Sequence, residues 1–288
     1  MAQAAQPVMT VTASSKRDWW IPCCSLGPLI LYLYSPILGH LVSQWWHDPN
    51  FGHGFLVPIF SGIVVWNKRA RLADLPLKPS WAGLVVVIFS LVILVGGVLG
   101  AELFLARSSL LFLLAGLVVL FAGPSFFRAL LFPWVCLFLM IPIPNVVFTE
   151  VTLPLQLLAS HLASSALSLL GVPVLREGNI IRLPAMVLEV AEACSGVRSL
   201  ISLVTLAVIY GYFAEPRLLG RLMLALAAIP IAVASNGLRI VGTGLLVQYG
   251  NAEMAEGFFH QFSGWLIFMV SLVMLWVLHK TVRIMTKA

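Results

Sequence analysis

The sequence carries very little charge for its length. Only 10% of its 288 residues are charged, 60% are hydrophobic, and the mean hydropathy is +1.01. A soluble domain of this composition could not keep a wettable surface, so the class of soluble proteins is excluded. The apolar runs are also too long for the strands of a membrane barrel. The composition therefore predicts an integral membrane protein built of helices.

Cysteine is scarce as well, and its spacing excludes two further classes. The four cysteines, Cys23, Cys24, Cys136 and Cys194, do not form the CxxC pairs of a metal site and do not suggest a disulfide framework. No nucleotide or flavin motif is present, so we expect neither a metal nor a cofactor. The formal net charge of +6 does not indicate nucleic acid, because the basic residues sort by membrane side.

The long apolar stretches predict about eight transmembrane helices in one integral membrane domain, 1–288. This is an all-α polytopic fold. The first stretch is too long for a signal peptide and has no small-residue cleavage site, so we expect it to be retained as an anchor. The eight spans are expected at 19–44, 54–67, 81–101, 108–123, 129–148, 193–213, 222–247 and 261–279.

The basic residues predict the orientation of these helices. If the chain crosses the membrane at every span, twelve of the seventeen Lys and Arg residues fall on one side, which the positive-inside rule assigns to the cytoplasm. Both termini then lie in the cytoplasm, with 1–18 as an N-terminal tail. Arg107, Arg176 and Arg182 fall near the other side and are interpreted as ordinary loop charges. The twelve are Lys16, Arg17, Lys68, Arg69, Arg71, Lys78, Arg128, Arg217, Arg221, Lys280, Arg283 and Lys287.

One long segment, 145–192, is not expected to span the membrane. Its first part, VTLPLQLLASHLASSALSLLG, has helical periodicity with polar interruptions, which predicts an interfacial or re-entrant helix. Its second part, VPVLREGNIIRLPAMVLEVAEA, alternates like a short hairpin around REGN and is broken by Pro184. We therefore expect an extracytoplasmic insert with a small β-like element before the sixth span.

Cys194 lies in the polar sequence AEACSGVRSL at the start of the sixth span. In the first turn of a helix, free N–H groups favour a thiolate, and Arg198 lies four residues later on the same face. A thiolate is the nucleophile of cysteine enzymes. Glu192 and Ser195 add polar groups beside it. The alternative is a small apolar core residue, which is the interpretation we prefer for the other three cysteines.

Asn236 and Arg239 lie three residues apart in the sequence ASNGLRIVGTG of the seventh span. This spacing places them on one helical face, at a depth comparable with that of Cys194. An arginine there can bind a carboxylate or stabilise an oxyanion with two donors. The alternative is a structural ion pair with Glu189 or Glu192.

Two histidines are expected on the same side of the membrane. His260 lies at the mouth of the last span, where an imidazole suits proton transfer near neutral pH, although an interfacial packing role beside the neighbouring aromatics is the alternative. His53 lies between Gly52 and Gly54 in the loop HDPNFGHGFLVP. Topology thus brings Cys194, Arg239 and His260 to one level.

These motifs resemble the exosortase/archaeosortase family of polytopic cysteine transpeptidases. The resemblance rests on EACSGVRSL, NGLRI and HQFSGW in this order, supported by GHGFLVP and REGNIIRLP, and extends over about 45–280. It implies an acyl-thioester on Cys194, with Arg239 and His260 completing the catalytic set. Glu192, Ser195, Arg198, Asn236 and His53 would then support the site or bind substrate.

The resemblance also implies partners and a location. The substrates would be exported proteins whose C-terminal signal has a Pro-Glu-Pro-like motif, a hydrophobic helix and a basic cluster. The enzyme would lie in the cell inner membrane with its site on the periplasmic side, among membrane lipids and proteins of exopolysaccharide biosynthesis. Whether water or an amine resolves the thioester stays open.

The competing hypotheses are a transporter, in which the polar residues line a pathway, and a non-catalytic subunit of an exopolysaccharide assembly complex.

Overall fold

The protein is a bundle of helices with one small sheet. A computed structural model describes residues 20–190, 197–250 and 258–285, and the side chains of 26–190, 197–250 and 262–284. The described residues include two 3-10 helices. Gly52–Phe55 directly precedes the α-helix Leu56–Asn67, and Leu137–Met140 directly follows the α-helix Pro124–Cys136. The α-helices in the described chain are α1 (Trp20–His47), α2 (Leu56–Asn67), α3 (Arg69–Asp74), α4 (Ala82–Leu99), α5 (Leu103–Phe121), α6 (Pro124–Cys136), α7 (Asn145–Leu169), α8 (Val197–Ala214), α9 (Leu218–Tyr249) and α10 (Phe258–Met285).

Seven of the described helices are long and apolar enough to cross a membrane: α1, α4, α5, α7, α8, α9 and α10. Two shorter apolar helices, Gly52–Asn67 and Pro124–Met140, occupy the second and fifth predicted spans. The all-α polytopic fold is therefore confirmed. Every predicted span contains a helix. An apolar segment lies among lipid and other apolar helices, and a helix satisfies all of its backbone hydrogen bonds within the segment.

Two predicted boundaries are wrong for local reasons. The fifth span was expected at 129–148, but its helix ends at Met140, because Pro142 and Pro144 hold the residues before them in extended conformations. The fourth span was expected at 108–123, but α5 already begins at Leu103, where the Glu102 side chain accepts a hydrogen bond from the Phe104 amide. Arg107 therefore lies within a helix and is only 4% exposed, so its interpretation as a loop charge is wrong.

Helices α4 and α5 form a closely packed antiparallel hairpin. A Cβ atom added at Gly97 would lie 2.6 Å from the Ala106 backbone nitrogen, and one added at Gly116 would lie 2.8 Å from the backbone nitrogen of Val87. The two backbones can approach this closely only because these positions lack side chains. The opposite face of α4 is apolar and exposed, for example at Val85 and Val92, as suits contact with lipid.

The predicted hairpin is present, and a third strand extends it. Strands β1 (Leu175–Glu177), β2 (Ile180–Arg182) and β3 (Val187–Glu189) pair antiparallel in this order. Glu177 pairs with Ile180, so the turn is Gly178–Asn179, and Gly178 has φ +65°, which a glycine adopts without strain. The hairpin prediction did not separate β3, which lies in the alternating stretch after Pro184.

The sheet packs on α7 and on the C-terminal part of α9. Ile181 is fully buried in a cluster with Ala163, Leu167 and Ile240. The Ser160 hydroxyl of α7 donates a hydrogen bond of 2.8 Å to the Gly178 carbonyl. We call this end of the bundle the sheet end. Helices α1 and α9 end there, and helices α2, α5 and α8 start there.

Both ends of α7 contact residues of the sheet end. Near its start, the Phe148 ring lies 6.3 Å from the ring of Phe51, which follows α1. Near its end, Leu167 lies against Gly244 in the last part of α9. The division of the chain into a tail at 1–18 and an insert at 145–192 stays a prediction, since 1–18 lies outside the described residues.

Adjacent glycines in α4 offer a matched test of the hairpin packing. We expect Gly97→Ala to destabilise the protein by about 1–3 kcal/mol, because the new methyl group would overlap the Ala106 backbone. Gly96 has no atom within 4 Å of an added Cβ, so Gly96→Ala should be neutral or slightly stabilising. Unfolding of both variants in detergent, followed by circular dichroism, measures the difference. Equal effects at the two positions would contradict this packing.

Candidate active site

Arg198 joins the start of α8 to the loop after α1. Its Nε donates a hydrogen bond of 3.0 Å to the Asn50 side-chain oxygen. The Asn50 backbone N–H donates to the Asp48 carboxylate at 2.9 Å, which fixes the turn that presents the amide. Asn50 was not identified from the sequence. Its position in the polar stretch DPN, three residues before His53, is the only signal that could have indicated it.

His53, three residues after Asn50 in the same loop, is buried against the 3-10 helix Leu137–Met140. It is 8% exposed, and its Nε2 lies 3.2 Å from the Leu139 carbonyl oxygen, to which it donates as the Nε2–H tautomer. Its Nδ1 is buried, lies near the Asn50 backbone and forms no well-aligned hydrogen bond with a described residue. Burial lowers the pKa of His53, and the hydrogen bond to Leu139 offsets this in part. His53 therefore anchors the loop to the 3-10 helix at Leu137–Met140 as a neutral imidazole.

Gly54 allows this loop to pack on α1. A side chain at Gly54 would overlap the indole ring of Trp45. The Trp45 indole N–H donates to the Met140 carbonyl at 2.9 Å, so α1 and the 3-10 helix are joined on either side of His53. The loop is thereby held by side-chain contacts at Trp45, Asn50 and His53.

Arg239 of α9 lies against the first turns of α10. Its Nε is 3.4 Å from the Ser263 hydroxyl, to which it donates a long hydrogen bond. A Cβ atom on Gly264 would lie 3.7 Å from the guanidinium carbon, so the guanidinium covers this glycine. Ser263 was not identified from the sequence, because a serine within a membrane helix usually bonds only to its own backbone.

His260 precedes this contact by one helical turn. It is the third residue of α10, and Gly264 is four residues later, so the two positions share a face of the helix. The side chain of His260 lies outside the described residues. Asn236, predicted on the face of Arg239, is buried with 3% exposure one turn earlier in α9.

The packing of α8 on α9 brings Arg198 to within about a turn of the level of Asn236, and Arg239 lies about one turn farther along α9. At the far end of this helix pair, a Cβ atom on Gly211 would lie 3.4 Å from the Arg221 Cα. Arg198 lies 13 residues before Gly211, a rise of about 20 Å along α8. The same 13 residues counted from Arg221 reach position 234 in antiparallel α9, within about a turn of Asn236.

The remaining predicted residues fall in 191–196, which lies outside the described residues. These are Glu192, Cys194, the expected nucleophile, and Ser195. The chain itself limits the distance, since Cys194 is four residues before Arg198 and four residues span at most about 14 Å. Among the described residues, no group of three or more His, Cys, Asp or Glu side chains is arranged to hold a metal ion.

The burial of His53 predicts a pH dependence of stability. Because the folded-state pKa is lower than the ordinary value of 6.5, the unfolded chain takes up the proton first, and stability is lost as the pH falls below about 6.5. We expect His53→Gln, which keeps a donor for Leu139, to flatten the decline in unfolding temperature between about pH 7 and 5. His161→Gln, at an exposed position of α7, is the control. If both variants follow the wild-type curve, His53 is not buried as a neutral ring.

Comparison with known proteins identifies the family to which this chain belongs. Residues 45–277, most of the chain, match the family described as Transmembrane exosortase (Exosortase_EpsH). No curated protein and no solved structure matches the chain significantly. The matched range begins at Trp45, beneath the His53 loop, and extends through Arg198 and Arg239 to the last turns of α10. The chain therefore belongs to the transmembrane exosortase family.

Proposed function

We propose that this multi-pass membrane protein is a cysteine peptidase or transpeptidase that cleaves the C-terminal sorting signal of exported proteins. The observation that carries the proposal is the contact of Arg239 with α10 one turn after His260, about one turn from the level at which α8 begins. Cys194 lies four residues before Arg198 of α8. Membership of the exosortase family supports the same assignment.

In the proposed first step, the Cys194 thiolate attacks the carbonyl carbon of the scissile peptide bond. A C–S bond forms, and the carbonyl oxygen becomes an oxyanion. Collapse of this intermediate breaks the C–N bond, and His260 passes the proton taken from the thiol to the leaving amine. The product is an acyl-thioester on Cys194. Attack by water or by an amine on the thioester carbonyl then releases the acyl group and restores the thiol.

Arg239 is assigned to the oxyanion rather than to proton transfer. A guanidinium does not lose its proton at neutral pH, so it is a poor acid but a good fixed donor. Its contacts with Ser263 and Gly264 restrain the guanidinium against the first turns of α10. Donors fixed in this way stabilise developing negative charge without reorganising during the reaction.

Arg198 is assigned to holding the nucleophile region in place. Its bond to Asn50 ties the first turn of α8 to a loop that is itself anchored by His53 and Trp45. A cation and the positive end of a helix dipole both favour a nearby thiolate. Arg198 thus supports Cys194 in two ways: it adds positive charge and it restrains the chain that leads into α8.

The charge distribution supports an orientation in the inner membrane. Basic residues concentrate at the end opposite the sheet end, where Lys68 donates to the Ala129 carbonyl and Arg221 donates to that of Glu215. The positive-inside rule then places this end and both termini in the cytoplasm and the sheet end in the periplasm. The basic tail of a substrate would hold the C-terminal end of its membrane helix at the cytoplasmic side. The cleavage motif, which precedes that helix, would then lie at the depth of the sheet end.

The peptidase proposal predicts that Cys194→Ala abolishes processing of an epitope-tagged substrate, reducing it by at least roughly a thousandfold. The thiolate is the only group that can form the thioester, so no other residue can substitute. Cys136→Ala is the matched control, since Cys136 is buried beside Phe60 and Val64 away from the sheet end, and it should process normally. Immunoblots of substrate in membranes measure both. Normal processing by Cys194→Ala would leave the transporter or the non-catalytic subunit as the function.

The role of Arg239 predicts a strong effect of a conservative change. Arg239→Lys keeps the charge but loses the planar fork, so we expect turnover to fall about a hundredfold with little change in the amount of folded protein. Arg176→Lys, at an exposed position of β1, is the control. Turnover of purified protein with a tagged peptide in detergent measures the effect. Near-normal turnover of Arg239→Lys would indicate simple charge pairing instead of oxyanion stabilisation.

A further inference from the structure

Arg107 is a buried charge that the proposed reaction does not use. It lies in the second turn of α5 and is 4% exposed. Its Nε is fully buried without a hydrogen-bond partner, and no ion pair within the described residues involves its guanidinium. An arginine keeps its charge at physiological pH, and burial of a charge without a partner is expensive. The protein would retain such a residue if a ligand supplied the partner.

A polar cavity adjoins Arg107 at the sheet end. Its volume is about 210 Å³, which gives room for several water molecules or one phosphate group. The polar lining comes from three segments: Gln44 of α1, Glu102 and Arg107 around the start of α5, and Asn145 at the start of α7. Pro142 and Pro144 also line the cavity, so part of its wall has a restricted backbone.

The cavity carries both signs of charge. Glu102 caps α5 by accepting a hydrogen bond of 3.2 Å from the Phe104 amide, and within the described residues it forms no ion pair with Arg107. The cation and the anion therefore line one cavity without neutralising each other directly. A ligand that carries an anionic and a cationic group would satisfy both.

The rim of the cavity is apolar and exposed. Leu103, Ile143 and Val146 line it, and Val146 is 76% exposed. On a membrane protein such side chains contact acyl chains, whereas the polar interior beside them suits a headgroup. The combination fits an amphiphile better than a small soluble anion.

We propose that this cavity binds the headgroup of an aminophospholipid, with its phosphate on Arg107 and its ammonium toward Glu102. Arg–phosphate pairs are frequently bidentate and strong, and basic pockets between membrane helices bind phospholipid headgroups. The bound lipid joins α1, α5 and the start of α7. The site is distinct from the residues assigned to catalysis, so it does not depend on the peptidase proposal.

The test compares lipids on the purified, delipidated full-length protein in detergent. Phosphatidylethanolamine should raise the unfolding temperature of the wild type, and native mass spectrometry should show the retained adduct. Arg107→Gln should bind this lipid at least roughly tenfold more weakly, since charge-assisted hydrogen bonds are lost. Without lipid it should be no less stable than the wild type, because the removed charge has no protein partner. Arg176→Gln, in the exposed sheet, is the control and should respond as the wild type.

Further arms identify the ligand and its cationic group. Glu102→Gln should bind phosphatidylethanolamine and phosphatidylglycerol about equally, whereas the wild type should prefer the former. Arg107→Lys, which keeps a point charge, should bind with intermediate strength and serves if Arg107→Gln does not fold. Inorganic phosphate that stabilises the wild type as strongly as the lipid would overturn the proposal in favour of a free-anion site. An unchanged lipid response in Arg107→Gln would overturn it altogether.

Discussion

The structure depends on one constraint: a polar group placed among apolar helices costs free energy unless it finds a partner, because lipid offers none. Arg198 meets it by reaching a loop, where Asn50 accepts its Nε–H. Arg239 reaches across to the Ser263 hydroxyl of a neighbouring helix. In both cases the partner comes from a different part of the chain, so satisfying the arginine also fixes how two elements sit together. The polar residues that suggest chemistry therefore also hold the sheet end in place.

The loop between α1 and α2 shows how this works without a regular element. A cluster of apolar side chains, including Trp45, Phe51 and Ile141, buries its inner face. The linker after Leu137–Met140 contains prolines, so some carbonyls before it have no backbone N–H to accept from within a helix. Polar atoms of the cluster bond to these carbonyls, as His53 does with Leu139. A residue that the sequence suggests as a supporting or substrate-binding group can thus serve as an anchor. Its value to the site is indirect, through the position of Asn50.

Much of the fold could be predicted, since hydropathy follows from the same transfer energies that decide which segments form membrane helices. The hairpin at REGN was predictable because Gly178 adopts a positive φ that the turn requires. The partners Asn50 and Ser263 were not, because hydrogen bonds between distant residues leave no periodic pattern. Arg107 was misjudged for a similar reason: the start of α5 depends on a cap at Glu102, and a shift of five residues moves an arginine from a loop into the bundle.

The geometry near Arg239 is also set at the opposite end of the bundle. There the Tyr210 hydroxyl lies 2.6 Å from Nδ1 of His279, whose Nε2 lies 2.6 Å from the Glu215 carboxylate. These bonds fix the register of α8 against α10. Neither helix contains proline, so each transmits its position along its length without a kink. From His279, α10 runs 16 residues, about 24 Å, back to Ser263, and from Tyr210, α8 runs 12 residues, about 18 Å, back to Arg198. Because rigid helices keep these lengths, a change of register at Glu215 would move Ser263 relative to Arg198. The separation of the groups proposed for catalysis thus depends on a hydrogen-bond network at the far end of the same helices.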